Sequence, residues 1–321
     1  MGPVLALKES LSMELEPVAP FNFKLSVHKP AGWWWSTPYE LFQDETLWTA
    51  ARLGGDLLGL KLHSVGTLLK PKLSCAVYSK NSLSDKEKIH LTETLSRALR
   101  INEDLCDFYS MAERDEILRE VVHDLYGLRT TAWPELFPAL ILVLTLQMAP
   151  WKRSSEMMDL LLKNYGDDVN FDGKTVRYWP SPGKIAALTV EELRSKAKLG
   201  YRARNLSSIA KELNGGFPSM EDLYVMDPEE AKEKLMTLRG IGEYSAELIS
   251  PRMGFPLDVW SAKIFNVLFF KKETDSPRGS IPDLKKTAEK HWGEWRGHVF
   301  TYILNDLPKI SERMGVDLTK F

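Results

Sequence analysis

The residues best placed to do chemistry lie close together in the last third of this 321-residue chain. One segment reads Leu235-Met-Thr-Leu238-Arg239-Gly240-Ile241-Gly242-Glu-Tyr244-Ser-Ala246-Glu-Leu248-Ile, and Asp258 follows sixteen residues after Gly242. A helix that ends near Leu238 meets Gly-x-Gly, and small residues at Ser245 and Ala246 begin another at once. Glycines let the backbone adopt positive φ and approach a second surface closely. The amides that open the new helix then face outward as an anion site suited to a phosphate. A plain helix–turn–helix corner is the other reading. In Gly254-Phe-Pro256-Leu-Asp258-Val-Trp-Ser-Ala-Lys263, Pro256 enforces an extended approach, so Asp258 stands where a helix begins. There it acts as an N-cap, or as a carboxylate aimed into a cleft beside the hairpin. Rupture of a glycosidic bond leaves positive charge on a sugar, which a fixed anion stabilises while orienting the attacking water. Both roles can hold together.

The surrounding pattern supplies elements to position these groups. Residues 1–20 read as an irregular lead-in. Phe21, Phe23, Leu25 and Val27 alternate at strand period, as do Leu58, Leu60 and Leu62, and again Leu73, Cys75 and Val77. A small antiparallel sheet over residues 21 to about 80 follows, and Ser84 opens a helix towards Leu99. Beyond residue 100 the texture is helical: Asp115 to Tyr126, then Glu135 to Tyr165 as one long apolar helix and another after Pro150. Thr189-Val-Glu-Glu192 is a capping box, and Asp227-Pro228 starts a further helix. The fold class is α+β, with a sheet domain over 1–100 and a helical body over 101–321 that carries the hairpin at about 231–250.

Composition sets bounds. Forty-four per cent of residues are hydrophobic, enough for a sizeable core, and the formal net charge of −2 requires any phosphate-binding patch to be local. The run from Ser195 to Lys211 is such a patch, with Lys196, Lys198, Arg202, Arg204 and Lys211 and no acid. Two scattered cysteines, Cys75 and Cys106, are too few for a zinc ribbon or an iron–sulfur cluster. The longest apolar stretch, Leu136 to Pro150, is too short for a membrane span. No organic cofactor and no membrane are expected; the expectation is a monomer of the cytoplasm (associated with the nucleoid) or the nucleus.

The hairpin and its aspartate resemble the helix-hairpin-helix DNA glycosylases over about two-thirds of the chain. Ala139 to Gly166 resembles the long buried helix of that superfamily. Lys198-Leu-Gly200-Tyr201-Arg202-Ala-Arg204 resembles a segment of its 8-oxoguanine branch, and Trp292-Gly293-Glu-Trp295-Arg296-Gly297 its closing helix. The resemblance implies a sheet domain and two helical subdomains with the cleft between them. It also implies duplex DNA with a flipped damaged base as the partner, and Asp258 as the catalytic residue. Arg239, Gly240, Ile241 and Gly242 would hold a phosphate, and the carbonyls of Leu238 and Ile241 a monovalent cation, Na+ or K+. Tyr244, Leu248, Trp34 and Phe300 would line the base pocket. Met148 and Gln147 would wedge the stack, Tyr201 would insert beside the gap, and Arg202 and Arg153 would contact the orphaned partner base.

The chain departs from the resemblance in two places. Superfamily members that also nick the strand carry a lysine nucleophile where this chain has Tyr244, so loss of that amine implies a monofunctional enzyme using water. An aromatic ring there is similar to the alkylated-base enzymes, where it stacks on the extruded base; a cationic purine would gain cation–π stabilisation. Phe300 and Leu304 stand where the 8-oxoguanine enzymes contact their base, which points away from that lesion. Two arginines at an orphan cytosine would point back towards a damaged guanine. An alkylated purine, a deaminated, oxidised or otherwise modified base, and a hairpin module that only binds DNA are the three readings that remain.

Overall fold

A computed structural model describes residues 5–250 and 254–320. Among these residues three hydrophobic clusters organise the fold. The first belongs to a five-stranded antiparallel sheet in the order β2–β6–β5–β4–β3, where β2 is Lys8–Leu15, β3 Leu41–Gln43, β4 Thr46–Leu53, β5 Asp56–Ser64 and β6 Leu73–Ser79. Leu58, Leu60 and Leu62 lie on one face with Leu73, Cys75 and Val77, and Leu91 and Leu95 cover them from α2 (Asp85–Leu99). The opposite face gives Trp48, Ala50, Leu57 and Tyr78 to the neighbouring helical core. Ser84 closes a reciprocal capping box with Glu87 at the start of α2.

Two readings of the N-terminal region are corrected. The lead-in assigned to residues 1–20 contains β1 (Leu5–Ala6) and β2, with residues 1–4 outside the described residues. β2 is an edge strand, and its exposed Lys8, Glu9 and Glu14 hide the alternation of Leu11, Met13 and Leu15; charge on an edge is how sheets avoid further pairing. The alternation from Phe21 to Val27 is a short helix, α1 (Phe23–Val27), because Asn22 caps it by accepting the Leu25 amide at 3.0 Å. Phe21 precedes the helix, whose buried face is Phe23, Ser26 and Val27 at helical spacing, and a polar Ser26 on that face conceals the pattern.

The second cluster is built by α5 (Leu136–Leu146) through α12 (Glu243–Ile249). α5 is buried on every side from Leu136 to Thr145, which is why its sequence is apolar all round. Around it lie α6 (Trp151–Tyr165), α7 (Pro182–Ala186), α8 (Val190–Lys196), α9 (Arg202–Asn214), α10 (Met220–Val225) and α11 (Pro228–Met236). A hairpin of β7 (Asp167–Phe171) and β8 (Lys174–Tyr178), joined by β1 in parallel, interrupts what the sequence presents as purely helical. Its turn is Asp172-Gly173, both with positive φ.

The third cluster joins chain segments far apart in sequence. α3 (Cys106–Ala112) and α4 (Leu118–Asp124) pack with α13 (Val259–Phe270), α14 (Pro277–Trp292), α15 (Arg296–Asn305) and α16 (Leu307–Met314). The helical portion thus falls into two bodies, and the hairpin and Asp258 lie on either side of the crossing between them. Lys285 of α14 fastens that crossing by pairing with Glu243 at 3.1 Å and Glu247 at 2.9 Å, both on α12. No helix of the described residues is long and apolar enough to cross a membrane.

Candidate active site

The hairpin forms as its glycines suggest, with one refinement. Gly240 has φ +84°, the left-handed region that favours glycine, whereas Gly242 is extended at φ −102° and serves as N-cap of α12. The two differ in surroundings as well. A Cβ on Gly240 would stand 2.3 Å from Nδ2 and 2.9 Å from Cγ of Asn205, so α9 packs directly against the bend. A Cβ on Gly242 would meet nothing within 4 Å, so that face is open to a ligand. Leu238 O accepts the Ile241 amide at 3.0 Å and tightens the turn. Arg239 is exposed beside it.

Asp258 caps α13. Its Oδ1 accepts from the Ser261 amide at 2.8 Å and from Ser261 Oγ at 2.7 Å, while its own amide donates to Ser261 Oγ at 2.9 Å. Among the described residues Oδ2 has no hydrogen-bond partner, so the carboxylate is oriented by one oxygen and presents the other. Behind it Phe255 packs edge-on to Phe265 and Phe300 in the third core, which anchors the loop that delivers the aspartate. Tyr244 is half-buried, and burial together with the nearby Asp258 charge pushes its phenol well above the usual range. The phenol therefore stays neutral, and the Asp258 charge is close enough to act on it. Leu248 follows one turn later on α12, half-buried against the second core.

The remaining pocket candidates are placed elsewhere. Phe300 is 9% exposed and stacks on Phe265 at 5.9 Å and 11°, so it supports the Asp258 loop from within the core and offers no open face to a base. Trp34 packs edge-on to Trp133 at 5.2 Å and lines a cleft of about 350 Å³ with Tyr39 and Trp151. Its loop spans the two helical bodies, since the Ala31 amide donates to Asn305 Oδ1 at 3.2 Å and Trp33 packs on Trp151 at 5.5 Å. Among the described residues no hydrogen bond or ring contact joins Trp34 to Tyr244 or Asp258.

The wedge candidates converge. The α5–α6 connection projects Met148, 84% exposed and held at φ +48°, a conformation that costs a side-chain-bearing residue roughly 1–2 kcal/mol. Tyr201, 55% exposed, opens α9 beside it, and the Arg202 guanidinium lies 4.6 Å from the centre of its ring. Arg153 donates to Lys198 O at 2.8 Å and pairs with Glu156 at 2.7 Å.

Arg202 departs from its expected role. It is 8% exposed, and its guanidinium donates to Leu144 O at 3.0 Å and to Gln147 O. These bonds satisfy carbonyls left open where α5 ends, so Arg202 holds the wedge loop in place and does not reach outward to an orphan base. Arg202→Ala is therefore expected to destabilise the free protein by about 1–3 kcal/mol, the cost of leaving buried carbonyls unpaired. Thermal melting without DNA checks this; a residue that only touched a base would leave the midpoint unchanged.

The basic run is also thinner than its sequence suggests. Lys198 pairs with Glu156 at 2.8 Å and Lys196 with Glu192 at 3.4 Å. Among the described residues Arg204 and Lys211 remain exposed without ion pairs. Sequence reasoning overlooked two supporting residues. Ser261 was findable, because Asp-x-x-Ser is a capping spacing. Asn205 carried no local signal, since its partner lies thirty-five residues away on another helix.

The geometry invites comparison with known proteins. No family model matches the chain. It is 27% identical over 213 residues to a DNA-3-methyladenine glycosylase of Bacillus subtilis (strain 168), covering 63% of this chain and 67% of that protein. Its fold superposes on a 3-methyladenine DNA-glycosylase from Archaeoglobus fulgidus with a TM-score of 0.73 at 19% identity, over 95% of this chain and 99% of the other. A Clostridium acetobutylicum 8-oxoguanine glycosylase/lyase, solved with double-stranded DNA containing cytosine opposite 8-oxoguanine, matches with a TM-score of 0.67 at 15% identity, over 96% and 99% of the two chains.

Proposed function

We propose that this chain, which belongs to the helix-hairpin-helix DNA glycosylase superfamily, is a monofunctional DNA glycosylase that releases an alkylated purine and leaves the strand intact. The observation that carries the reading is the nearness of Tyr244 and Asp258: a neutral phenol close enough to feel the charge of an oriented carboxylate. A cationic purine stacks favourably on such a ring, and its glycosidic bond is already weakened by the charge. As the bond lengthens, Oδ2 of Asp258 faces the positive charge that develops on the sugar and orients water to complete hydrolysis. Oδ1 stays bound to Ser261, so the carboxylate needs no reorganisation during the step.

The amides that open α12, at Gly242 and Glu243, receive a backbone phosphate, and Met148 and Tyr201 occupy the stack vacated by the flipped base. A monovalent cation on the carbonyls of Leu238 and Ile241 belongs to the same proposal; Leu238 O, with one hydrogen bond, keeps a lone pair for it. The position that carries an amine nucleophile in strand-nicking members is Tyr244, whose side chain has no nitrogen with which to form a Schiff base. The relative from Bacillus subtilis is named for 3-methyladenine, which favours alkylation over oxidation as the lesion.

The test is product analysis on a panel of lesion-bearing duplexes. Alkylated-purine substrates are expected to yield free base, with strand breaks only after alkali and no adduct trapped by borohydride. A trapped adduct contradicts the monofunctional reading. Excision confined to oxidised or deaminated bases contradicts the alkylated one.

A further inference from the structure

The wedge and the phosphate-binding bend belong to separate elements, yet three contacts close a triangle between them. Gln147, the residue before Met148, donates from Nε2 to the carbonyl of Gly240 at 2.6 Å. Its own carbonyl is bound by the Arg202 guanidinium at the start of α9. One turn further along α9, Asn205 packs beneath the Gly240 Cα. α9 is thus a rigid base that touches both loops, and the Gln147 side chain is the strut across the open side. Arg202 also binds Leu144 O at 3.0 Å, which fixes where the wedge loop leaves α5. Against this frame, a large apolar side chain at position 148 is held in solvent at positive φ, an arrangement that folding alone does not favour.

We propose that Gln147 is a positioning residue that sets the register between the Met148 wedge and the phosphate grip at Gly240–Gly242. The inference rests on the glycosylase reading. A wedge fills the gap left by an extruded nucleotide, while the bend holds a phosphate of the same strand. The distance between wedge and bend decides how far the nucleotide has rotated when Met148 is fully inserted, and so whether its anomeric carbon arrives opposite Asp258. Misplacement by about 1 Å suffices to cost a hundredfold in rate. A wedge fixed to the grip therefore converts insertion into correct delivery. A free one inserts without placing the sugar.

The strut matters most when flipping must compete with base pairing, and this separates it from a residue that merely stabilises the fold. The test compares wild type, isosteric Gln147→Glu and apolar Gln147→Met on the same alkylated purine, placed opposite its pairing partner or opposite a non-pairing base. A carboxylate at 147 removes the donor and faces the Gly240 carbonyl with like charge. In both variants single-turnover release from the paired substrate is expected to fall at least about tenfold more than release from the unpaired one. The midpoint of thermal unfolding checks that the fold persists. Equal losses on both substrates in a folded variant, or no loss on either, overturn the inference. Absence of base release by wild type from every substrate overturns the glycosylase reading instead, so the two failures are distinguishable.

Discussion

Asp258→Asn is expected to lower single-turnover base release from an alkylated-purine duplex by roughly a hundred- to a thousandfold, the scale on which one preorganised electrostatic group acts. Its fold should survive. Asparagine caps helices as well as aspartate does, and its side-chain oxygen can keep both bonds from Ser261. The substitution therefore removes charge from the free oxygen while leaving α13 anchored. Duplex binding in the ground state should change little, because in the proposed function the bend, not the aspartate, holds the phosphate. Rates measured under saturating enzyme, paired with a melting curve, separate these effects. Wild-type release by the folded variant would remove Asp258 from the mechanism.

The second large effect is expected at the hairpin, where the two glycines should fail in different ways. Gly240→Ala combines a strained φ of +84° with a Cβ 2.3 Å from Asn205 Nδ2, so the bend must move away from α9. Stability should drop by about 1–3 kcal/mol from backbone strain and lost packing. Affinity for damaged and undamaged duplexes should fall together, by an order of magnitude or more. Gly242→Ala has an ordinary φ and meets no neighbour within 4 Å, so the free protein should melt like wild type. Its methyl instead occupies the open face to which the proposed function assigns a phosphate, and on that reading DNA affinity alone should suffer. Fluorescence anisotropy with an undamaged duplex, beside thermal melting, reads both quantities. Identical melting losses in the two variants would contradict the assignment of an open and a packed side.

Local chemistry in the chain was legible wherever one or two residues decide the outcome. Asp258 caps its helix because Pro256 and the Asp-x-x-Ser261 spacing leave few alternatives, and the caps at Ser84, Thr189 and Asp227 all form as their spacings require. The hairpin was legible for the same reason. What stayed hidden depends on contacts across long separations. The alternation of Phe21 to Val27 read as a strand because the polar Ser26 conceals the buried helical face, and the cap at Asn22 decided it. The charged edge strand β2 shows its character only once β6 is beside it. Arg202 shows the limit most clearly. The resemblance of its segment implied a contact with the orphaned partner base, but the open carbonyls at the end of α5 lie within its reach and draw it inward. Phe300 likewise turns into the core because Phe255 and Phe265 surround it. Charge counting misled in a similar way, since Glu156 comes from α6 to pair with Lys198, and Glu192, one turn before Lys196 on α8, lies just outside the acid-free run.

The central claim is that the Asp258 carboxylate faces a sugar whose positive charge grows as the base departs. Two abasic duplexes test it directly, one with a neutral tetrahydrofuran sugar and one with a pyrrolidine ring protonated at nitrogen, which mimics that charge. Wild type should bind the charged duplex at least about a hundredfold more tightly than the neutral one. In Asp258→Asn the preference should collapse, with affinity for the neutral duplex little changed. An equal preference for the charged ring in both proteins would place the stabilising anion elsewhere and contradict the account.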